Sequence, residues 1–276
     1  MQEYSLETGY SWNTGIVRKI NEDSILCTSF KLKTHLGEIT AGLFAVADGM
    51  GGHNAGEVAS DIALRSLQME CISSLFSERS FSPLSVLEEA FNVANSNILK
   101  SNNSTEFMGM GTTLTAALVI GADLYVSHIG DSRCYIVNSR ETLQITKDHS
   151  VVQQLIDGGI ISAEDARIHP RRHEITRAIG SSPEICPDLH QVKLYADDNI
   201  LLCSDGLCCI LPTPTISETI MTAVSPQEAC NNLTALANQA GGPDNISVII
   251  IRPANLPSWQ SVVCAQTGIR SNKCQV

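Results

Sequence analysis

Residues 43–60 read LFAVADGMGGHNAGEVAS and pass from an apolar run through a glycine-rich loop into a segment with helical spacing. The run at 43–47 has the length of a buried strand and is too short for a helix. Beyond the glycines, apolar side chains recur at threes and fours on one face of a predicted helix, at Ala59, Ile62, Ala63, Leu67 and Cys71. The strand would fix the carboxylate of Asp48, and the glycines would leave room for a cation, water and a backbone oxygen.

Other interpretations of this loop exist. Asp48 and Gly49 also form a common turn signal, and a glycine-rich loop between strand and helix can cradle a phosphate with its backbone amides. The two familiar phosphate loops do not fit, because no Gly-Lys-Ser/Thr follows and the glycines at 49, 51, 52 and 56 do not fall as G-x-G-x-x-G. On this stretch alone, a turn and a cation ligand both remain open.

The composition is that of a globular protein with an excess of acids. The chain has 276 residues, 43% of them hydrophobic, which is enough for one large domain or two small ones. Lys and Arg number 18 against 29 Asp and Glu, and the net charge of −11 argues against nonspecific binding to nucleic acid or anionic membranes. No apolar run approaches the roughly 18 residues that a membrane span needs.

The ten cysteines are scattered without regular spacing, and residues 1–15 lack the apolar core of a signal peptide. We therefore interpret the cysteines as reduced core residues of a cytoplasmic protein. Cys203 and Cys208 form a C-x4-C pair, but no second pair with zinc spacing accompanies them, which disfavours structural zinc.

Outside the opening stretch, the pattern predicts hairpin-linked strands with helices between them. The expected strands are 25–27, 113–120, 124–129, 134–137, 199–203 and 246–251. Helices are expected at 82–100, from a capping box at Ser150 to Gly158, and from a capping box at Ser225 to Gly241. From residue 253 no periodicity survives, which predicts a weakly ordered tail.

Four aspartates stand at ends of apolar runs in separate parts of the chain, each beside Gly, Ser or Asn: Asp48, Asp131, Asp205 and Asp244. One such Asp indicates a turn, and a hairpin turn is the simplest interpretation of Asp131. Four suggest strand ends that converge on cations, because two hard divalent ions about 3.5–4 Å apart need a shared carboxylate and several flanking ones. Oxygen ligands alone favour Mg²⁺ or Mn²⁺ over zinc.

Two basic features accompany these acids. Arg18 stands within a few residues of Glu22 and Asp23, either in a solvated turn or where a guanidinium grips a phosphoryl group while the acids hold metal. The second feature is a basic patch within 147–180, which is either a solvated face or a mobile segment that meets a phosphorylated partner. Its members are Arg167, His169, Arg171, Arg172, His173 and Arg177.

Six short motifs occur in order between residues 9 and 252: Arg18-x-x-Asn21-Glu22-Asp23, Ala47-Asp48-Gly49-Met50-Gly51-Gly52-His53, Gly111-Thr112-Thr113, Gly130-Asp131-Ser132-Arg133, Ser204-Asp205-Gly206 and Gly242-x-Asp244-Asn245-x-Ser247. This series resembles that of the metal-dependent Ser/Thr protein phosphatases of type 2C, in their short bacterial form. Each motif is short, but six in register are highly specific.

The resemblance implies an α+β fold, a four-layer α-β-β-α sandwich with two central antiparallel sheets flanked by helices. Residues 1–252 would form a single catalytic domain, with 147–180 as its flap-like segment and 253–276 as the tail. The expected substrates are proteins phosphorylated on serine or threonine, and the expected partner is a cognate Ser/Thr kinase. We expect a cytoplasmic monomer that binds neither nucleic acid nor membrane.

By similarity, two Mn²⁺ or Mg²⁺ ions would share Asp48. The Gly49 carbonyl would complete one ion, and Asp205 with Asp244 would hold the other. Asp131 would join Asp205 in a third, weaker site. Glu22 and Asp23 would bind metal directly or through water.

The resemblance also implies a mechanism. Arg18 would bind the substrate phosphate, and the flap arginines Arg171 and Arg172 would contact the substrate. A water between the two ions would attack phosphorus with no covalent phosphoenzyme. Eukaryotic relatives carry a histidine general acid where this chain has Met50, so the proton donor for the leaving group is open. His53, close by in sequence, would either donate this proton or have a packing role, and metal-bound water is a further candidate for the donor.

Two rivals differ in class. A cysteine phosphatase needs C-x5-R, and this spacing occurs at Cys134 with Arg140 and at Cys264 with Arg270. The first lies in an alternating strand and the second in the tail, so neither has a phosphate cradle. The other rival is a catalytically weak member of the same fold that binds phosphoproteins. The presence of Asp48, Asp205 and Asp244 together favours the active enzyme.

Overall fold

The computed structural model describes residues 4–34, 37–51, 55–75, 82–102 and 108–256. Its strands are β1 (Ser5–Asn13), β2 (Asp23–Thr34), β3 (Gly37–Met50), β4 (Gly111–Thr112), β5 (Leu114–Ile120), β6 (Asp123–Ile129), β7 (Arg133–Val137), β8 (Thr142–Gln144), β9 (Asp188–Lys193), β10 (Asn199–Cys203) and β11 (Ile246–Ala254). Its helices are α1 (Gly56–Leu75), α2 (Pro83–Ser101), α3 (Val151–Asp157), α4 (Ala163–Ile168), α5 (Asp205–Cys208), α6 (Thr213–Thr222) and α7 (Pro226–Gln239).

The strands form two antiparallel sheets that pack face to face. One sheet has the order β1-β11-β10-β7-β8, and the other has the order β2-β3-β5-β6-β9 with the short β4 paired to β3. Helices α1 and α2 cover the outer face of the second sheet, while α6 and α7 cover the first. The arrangement is the four-layer α-β-β-α sandwich that the sequence motifs imply.

The position of β3 between two layers explains why residues 43–47 are all apolar. Leu43, Ala45 and Ala47 face α1 and α2, whereas Phe44 and Val46 face the opposite sheet. Successive side chains of a strand point to opposite faces, so a strand between two layers must be apolar on both. The predicted stripe of α1 packs against the first of these faces, which confirms the strand and helix expected at 43–60.

Two aspartates expected at turns lie in other surroundings. β3 continues through Asp48 and Gly49 to Met50, because β4 supplies a pairing partner opposite Gly49. The turn interpretation of this Asp-Gly pair is therefore wrong. Asp131 does not lie in a hairpin either, since β6 and β7 belong to different sheets. Gly130 makes this crossing with φ of +119°, where an added Cβ would lie 2.4 Å from the Thr113 side chain.

The helix ends agree with their caps in part. The Ser150 hydroxyl accepts a hydrogen bond from Gln153 N, but the Gln153 side chain binds Asp157, so only half of the predicted capping box forms. Ser225 accepts from Glu228 N as predicted.

β11 extends to Ala254, so the tail predicted from residue 253 begins too early. Residues 103–107, His53 and 257–276 lie outside the described residues.

His128 of β6 gives the fold a measurable dependence on pH. Its Nδ1 lies 2.9 Å from Thr115 Oγ1, its Nε2 lies 3.2 Å from the Lys147 carbonyl, and its ring stacks on His149. Burial lowers the pKa of His128 to about 3. The unfolded chain, with a histidine pKa of about 6.5, therefore binds a proton that the folded chain does not, and stability falls as pH falls below that value.

We expect this proton to remove about 2 kcal/mol of the free energy of unfolding between pH 7 and pH 5. The variant His128→Asn lacks the titrating ring, so the stability gap between the native chain and the variant should narrow by that amount at pH 5. Urea denaturation of both proteins in chelator, at the two pH values, measures the gap. A gap that does not change with pH would contradict a neutral buried imidazole.

Candidate metal centre

A pocket of about 580 Å³ gathers most of the predicted site residues. Eight of the ten line it, namely Arg18, Glu22, Asp48, Gly49, Asp131, Arg172, Asp205 and Asp244. They come from β3, from the β6–β7 crossing, from the start of α5, from the flap segment and from the loops before β2 and β11. Asp23 and Arg171 do not line this pocket.

The backbone of Asp48 is clamped by the two threonines of the Gly-Thr-Thr motif. Asp48 N donates to Thr113 Oγ1 at 2.9 Å. The Asp48 carbonyl accepts from Thr112 Oγ1 and from Thr113 N, each at 2.9 Å. These bonds fix the backbone of Asp48 at the pocket and therefore the point from which its carboxylate extends. The motif therefore acts through backbone geometry, a role that its sequence did not reveal.

Asn245 ties three parts of the pocket wall together. Its side-chain oxygen accepts from Glu22 N at 2.8 Å, and its amide nitrogen donates to the carbonyls of Thr14 and Ile20. The neighbouring Gly206 packs so closely on Asn245 that an added Cβ would lie 1.9 Å from the Asn245 carbonyl oxygen. Asp205 and Asp244, one residue away on either side, are placed by this contact.

Asp23 lies behind the pocket wall. Only 2% of its surface is exposed, and its Oδ2 accepts from Ser204 Oγ at 2.8 Å. Ser204 Oγ in turn accepts from Ser247 N, while Asp23 Oδ1 is buried with no hydrogen-bond partner. Burial raises the pKa of Asp23 to about 7. Its role as a metal ligand stays a prediction.

The pocket concentrates negative charge. Burial, followed by the carboxylates of Asp23 and Asp205, raises the pKa of Asp48 well above its usual range. Burial and the Asp205 carboxylate raise the pKa of Asp131 in the same way. The main local counter-charge is Arg18, whose Nη2 lies 2.9 Å from Asp244 Oδ2 and whose Nη1 lies 3.8 Å from Glu22 Oε2.

This donor set fits hard divalent cations. It consists of carboxylates and one backbone carbonyl, and the unpartnered Oδ1 of Asp23 lies behind its wall. Within the described ranges, no three His, Cys, Asp or Glu side chains already form a compact ligand group. Water or carbonyl oxygens would therefore have to complete the coordination, as is usual for Mg²⁺.

The basic residues of the flap segment contribute unequally to the pocket. Arg172 lines the pocket, whereas Arg171 forms a two-pronged ion pair with the exposed Glu174, at 2.7–3.0 Å. His173, which the sequence showed only as part of the basic patch, has its Nδ1 3.8 Å from Asp205 Oδ2. Met50 also lines the pocket, and a thioether cannot donate a proton.

The cysteine phosphatase rival fails on the described residues. Cys134 is fully buried in β7, and burial raises the pKa of its thiol to about 12, far from a thiolate nucleophile. Its spacing partner Arg140 lies 3.8 Å from Asp198. Cys264 and Arg270 lie outside the described residues.

Two sheets with this strand order and a carboxylate pocket define the scaffold of a sandwich-type metallohydrolase. The sequence relatives identify its family. Residues 13–246 match the family described as protein phosphatase 2C, and the chain belongs to this family. It is 40% identical over 240 residues to the serine/threonine protein phosphatase PstP of Mycobacterium tuberculosis, covering 86% of this chain but 43% of PstP. It is 37% identical over 210 residues to the serine/threonine phosphatase stp of Listeria monocytogenes, covering 75% and 82% of the two chains. The chain thus spans less than half the length of PstP.

Solved structures agree with the fold. The crystal structure of M. tuberculosis PstP/Ppp superposes with a TM-score of 0.78 at 38% identity, covering 90% of this chain and 98% of the other. The catalytic domain of PstP in complex with two manganese ions gives 0.78 at 36% identity, covering 92% and 100%. These matches confirm the resemblance to the protein phosphatase 2C family and the fold predicted from the motifs.

The helices of the described segments include none with the length and apolar character of a membrane span.

Proposed function

We propose that the protein is a metal-dependent phosphatase that hydrolyses phosphoserine and phosphothreonine in proteins. The observation that carries the proposal is the meeting of four aspartates and Arg18, distant along the chain, around one pocket. The names of its relatives, PstP and stp, support the substrate class. No observation favours a non-catalytic role.

The pocket residues divide into ion ligands and a phosphate clamp. Asp48, the Gly49 carbonyl, Asp131, Asp205 and Asp244 would hold the ions, with Glu22 and Asp23 in support. When bound, Mn²⁺ or Mg²⁺ would supply a Lewis acid and activate water as the nucleophile.

Arg18 would bind two phosphate oxygens through its planar guanidinium. Its contacts with Asp244 and Glu22 already hold the guanidinium at the pocket, so less side-chain freedom is lost on binding. Since Met50 cannot protonate the leaving oxygen, we assign that step to water in the pocket.

Residues 1–252 would act as one catalytic domain with 147–180 as its flap. The family match over 13–246 supports this division. We further propose a monomer that acts in the cytoplasm against the products of a cognate Ser/Thr kinase. All eight cysteines in the described part of the chain are free thiols. Together with their irregular spacing, this supports a reducing compartment.

The proposed function is tested by dephosphorylation of peptides that carry phosphoserine, phosphothreonine or phosphotyrosine, with Mn²⁺ and with EDTA. We expect release of phosphate from the first two, its loss in EDTA and its return on adding excess Mn²⁺. Activity that survives EDTA and is lost to a thiol alkylator would instead support a cysteine phosphatase.

Replacing Arg18 with alanine should raise KM for p-nitrophenyl phosphate by about 10- to 100-fold, because a charge-assisted hydrogen bond to a phosphate contributes roughly 1.5–3 kcal/mol. Mn²⁺ affinity, measured by calorimetry, should change much less. The matched control is Arg65→Ala, which removes an exposed arginine paired with Asp61 on α1. Unchanged KM and kcat in the Arg18 variant would remove this residue from the phosphate site.

A further inference from the structure

A second cavity of about 390 Å³ lies beside the metal pocket, between the flap helices α3 and α4 and the chain that follows α5. The two cavities share three wall residues, Asp131, Arg172 and Cys209. Because they share these residues the two cavities are adjacent, and a peptide bound at one lies next to the other.

The charged floor of the second cavity is already satisfied. Arg133 Nε lies 2.8 Å from Asp148 Oδ1, and Arg133 Nη2 lies 2.7 Å from Asp148 Oδ2. Arg133 Nη1 also donates to the Tyr135 hydroxyl, and Gln144 Nε2 donates to Asp148. All three nitrogens of the Arg133 guanidinium are thus bonded, so a charged ligand would have to displace existing hydrogen bonds and would gain little.

An apolar part of the wall lies beside the charged residues Glu164, Arg167 and Arg172. It is formed by Val152 and Ile156 of α3, Ala163 and Ala166 of α4, and Pro212 and Pro214. α3 has no fully buried residue, and Val152 and Ile156 are only half-buried. The flap therefore presents apolar side chains to an open cavity instead of packing them into the core.

We propose that this second cavity binds an apolar side chain of the phosphoprotein substrate, from a residue that flanks the phosphoserine or phosphothreonine. The inference rests on the proposed function, because the occupant is tethered to a phosphate in the first pocket. An extended peptide advances about 3.3 Å per residue, so side chains within three positions of the phosphate reach roughly 10 Å along the chain. The apolar part of the wall favours an apolar side chain at that position.

The test uses phosphothreonine peptides in which one position at a time, from three residues before the phosphate to three after it, is leucine in a serine background. Phosphate release gives kcat/KM for each peptide. Burial of a leucine side chain on binding should raise kcat/KM by about 10-fold or more at one position at least. Arginine or glutamate at that position should give no such gain.

Two variants test whether the rise in kcat/KM with leucine arises in the second cavity. Ala163→Trp adds bulk inside it, and its matched control is Ile168→Trp, on the same helix at an exposed position outside the cavity wall. Ile156→Ser weakens the apolar wall, and its control is Ile160→Ser, also exposed and outside the wall. Ala163 and Ile156 do not line the metal pocket, so turnover of p-nitrophenyl phosphate should stay within about twofold.

The expected result is loss of the leucine gain in Ala163→Trp and Ile156→Ser but not in the controls. If Ala163→Trp does not fold, as judged by circular dichroism, Ile156→Ser decides. Equal kcat/KM for all the peptides with the native enzyme, or a gain that persists in the folded cavity variants, would overturn the cavity proposal alone. Failure of the native enzyme to hydrolyse any phosphopeptide, by contrast, would overturn the proposed function.

Discussion

Replacing Asp48 with alanine is expected to reduce Mn²⁺-dependent hydrolysis of p-nitrophenyl phosphate by on the order of 10³-fold or more. The carboxylates of Asp23, Asp205, Asp131 and Asp244 all help to raise the pKa of Asp48. A ligand at the centre of such a group is the one that two ions can share. Loss of Lewis-acid stabilisation worth several kcal/mol corresponds to this change in rate.

The same variant should keep its fold. The backbone clamp from Thr112 and Thr113 does not involve the Asp48 side chain, and removal of a buried carboxylate relieves repulsion when no cation is bound. In EDTA the variant should therefore unfold at a temperature at least equal to that of the native chain. Added Mn²⁺ should raise the melting temperature of the native chain and have less effect on the variant.

Asp61→Ala provides the matched control, because it removes an exposed aspartate of α1 that pairs with Arg65. Its turnover and its response to Mn²⁺ should be those of the native chain. Near-native turnover in Asp48→Ala would refute the shared-ligand role and with it the two-ion site.

Gly206→Ala is expected to damage stability and activity together, although it adds one methyl group. The new Cβ would lie 1.9 Å from the Asn245 carbonyl oxygen and 2.9 Å from its carbonyl carbon. Backbone atoms cannot rotate away as a side chain can, so α5 and the start of β11 must separate. We expect a loss of about 2–3 kcal/mol in the free energy of unfolding, in the upper range for overpacking.

The shift should reach the metal centre, because Asp205 precedes Gly206 and Asp244 precedes Asn245. We expect turnover to fall by about 100-fold, and Mn²⁺ affinity to weaken in parallel, since a displacement of about 1 Å has effects of this size. Urea denaturation, kinetics and calorimetry measure the three quantities.

The control for this substitution is Gly158→Ala, at a glycine with φ of −76° whose nearest neighbours would lie 3.4 Å or more from the new Cβ. It should change the free energy of unfolding by no more than about 0.5 kcal/mol. If Gly206→Ala were as stable and as active as this control, the contact with Asn245 would relax freely and the prediction would be wrong.

Local patterns in the sequence predicted many of the strands and helices but not β1, β9 or α6, and they predicted strand pairing less well. The apolar run at 43–47 and the stripe of α1 follow from side-chain periodicity, which is a property of neighbouring residues. That Asp131 lies between the two sheets depends on where β7 pairs, and β7 pairs with β10, more than 60 residues away. Such pairing leaves no local signal, so the hairpin was the natural but incorrect expectation.

The same limit applies to the site. The repeated pattern of Asp beside a small residue identified four carboxylates that the structure brings to one pocket. It could not separate Glu22, which lines the pocket, from Asp23, which faces Ser204. Adjacent residues of an extended chain point to opposite sides, and the sequence does not say which side will hold the cation.

The position of β11 between β1 and β10 sets an order for events during synthesis on the ribosome. Among the described residues β11 is the last strand, and Ser5 of β1 lies opposite Ala254. The sheet of β2, β3, β5, β6 and β9 is available once residue 193 has emerged, whereas the other sheet lacks an inner strand until translation has passed residue 254. Nascent chains would thus carry a half-built core that exposes apolar surface, and they would gain a working cation centre only once β11 has emerged.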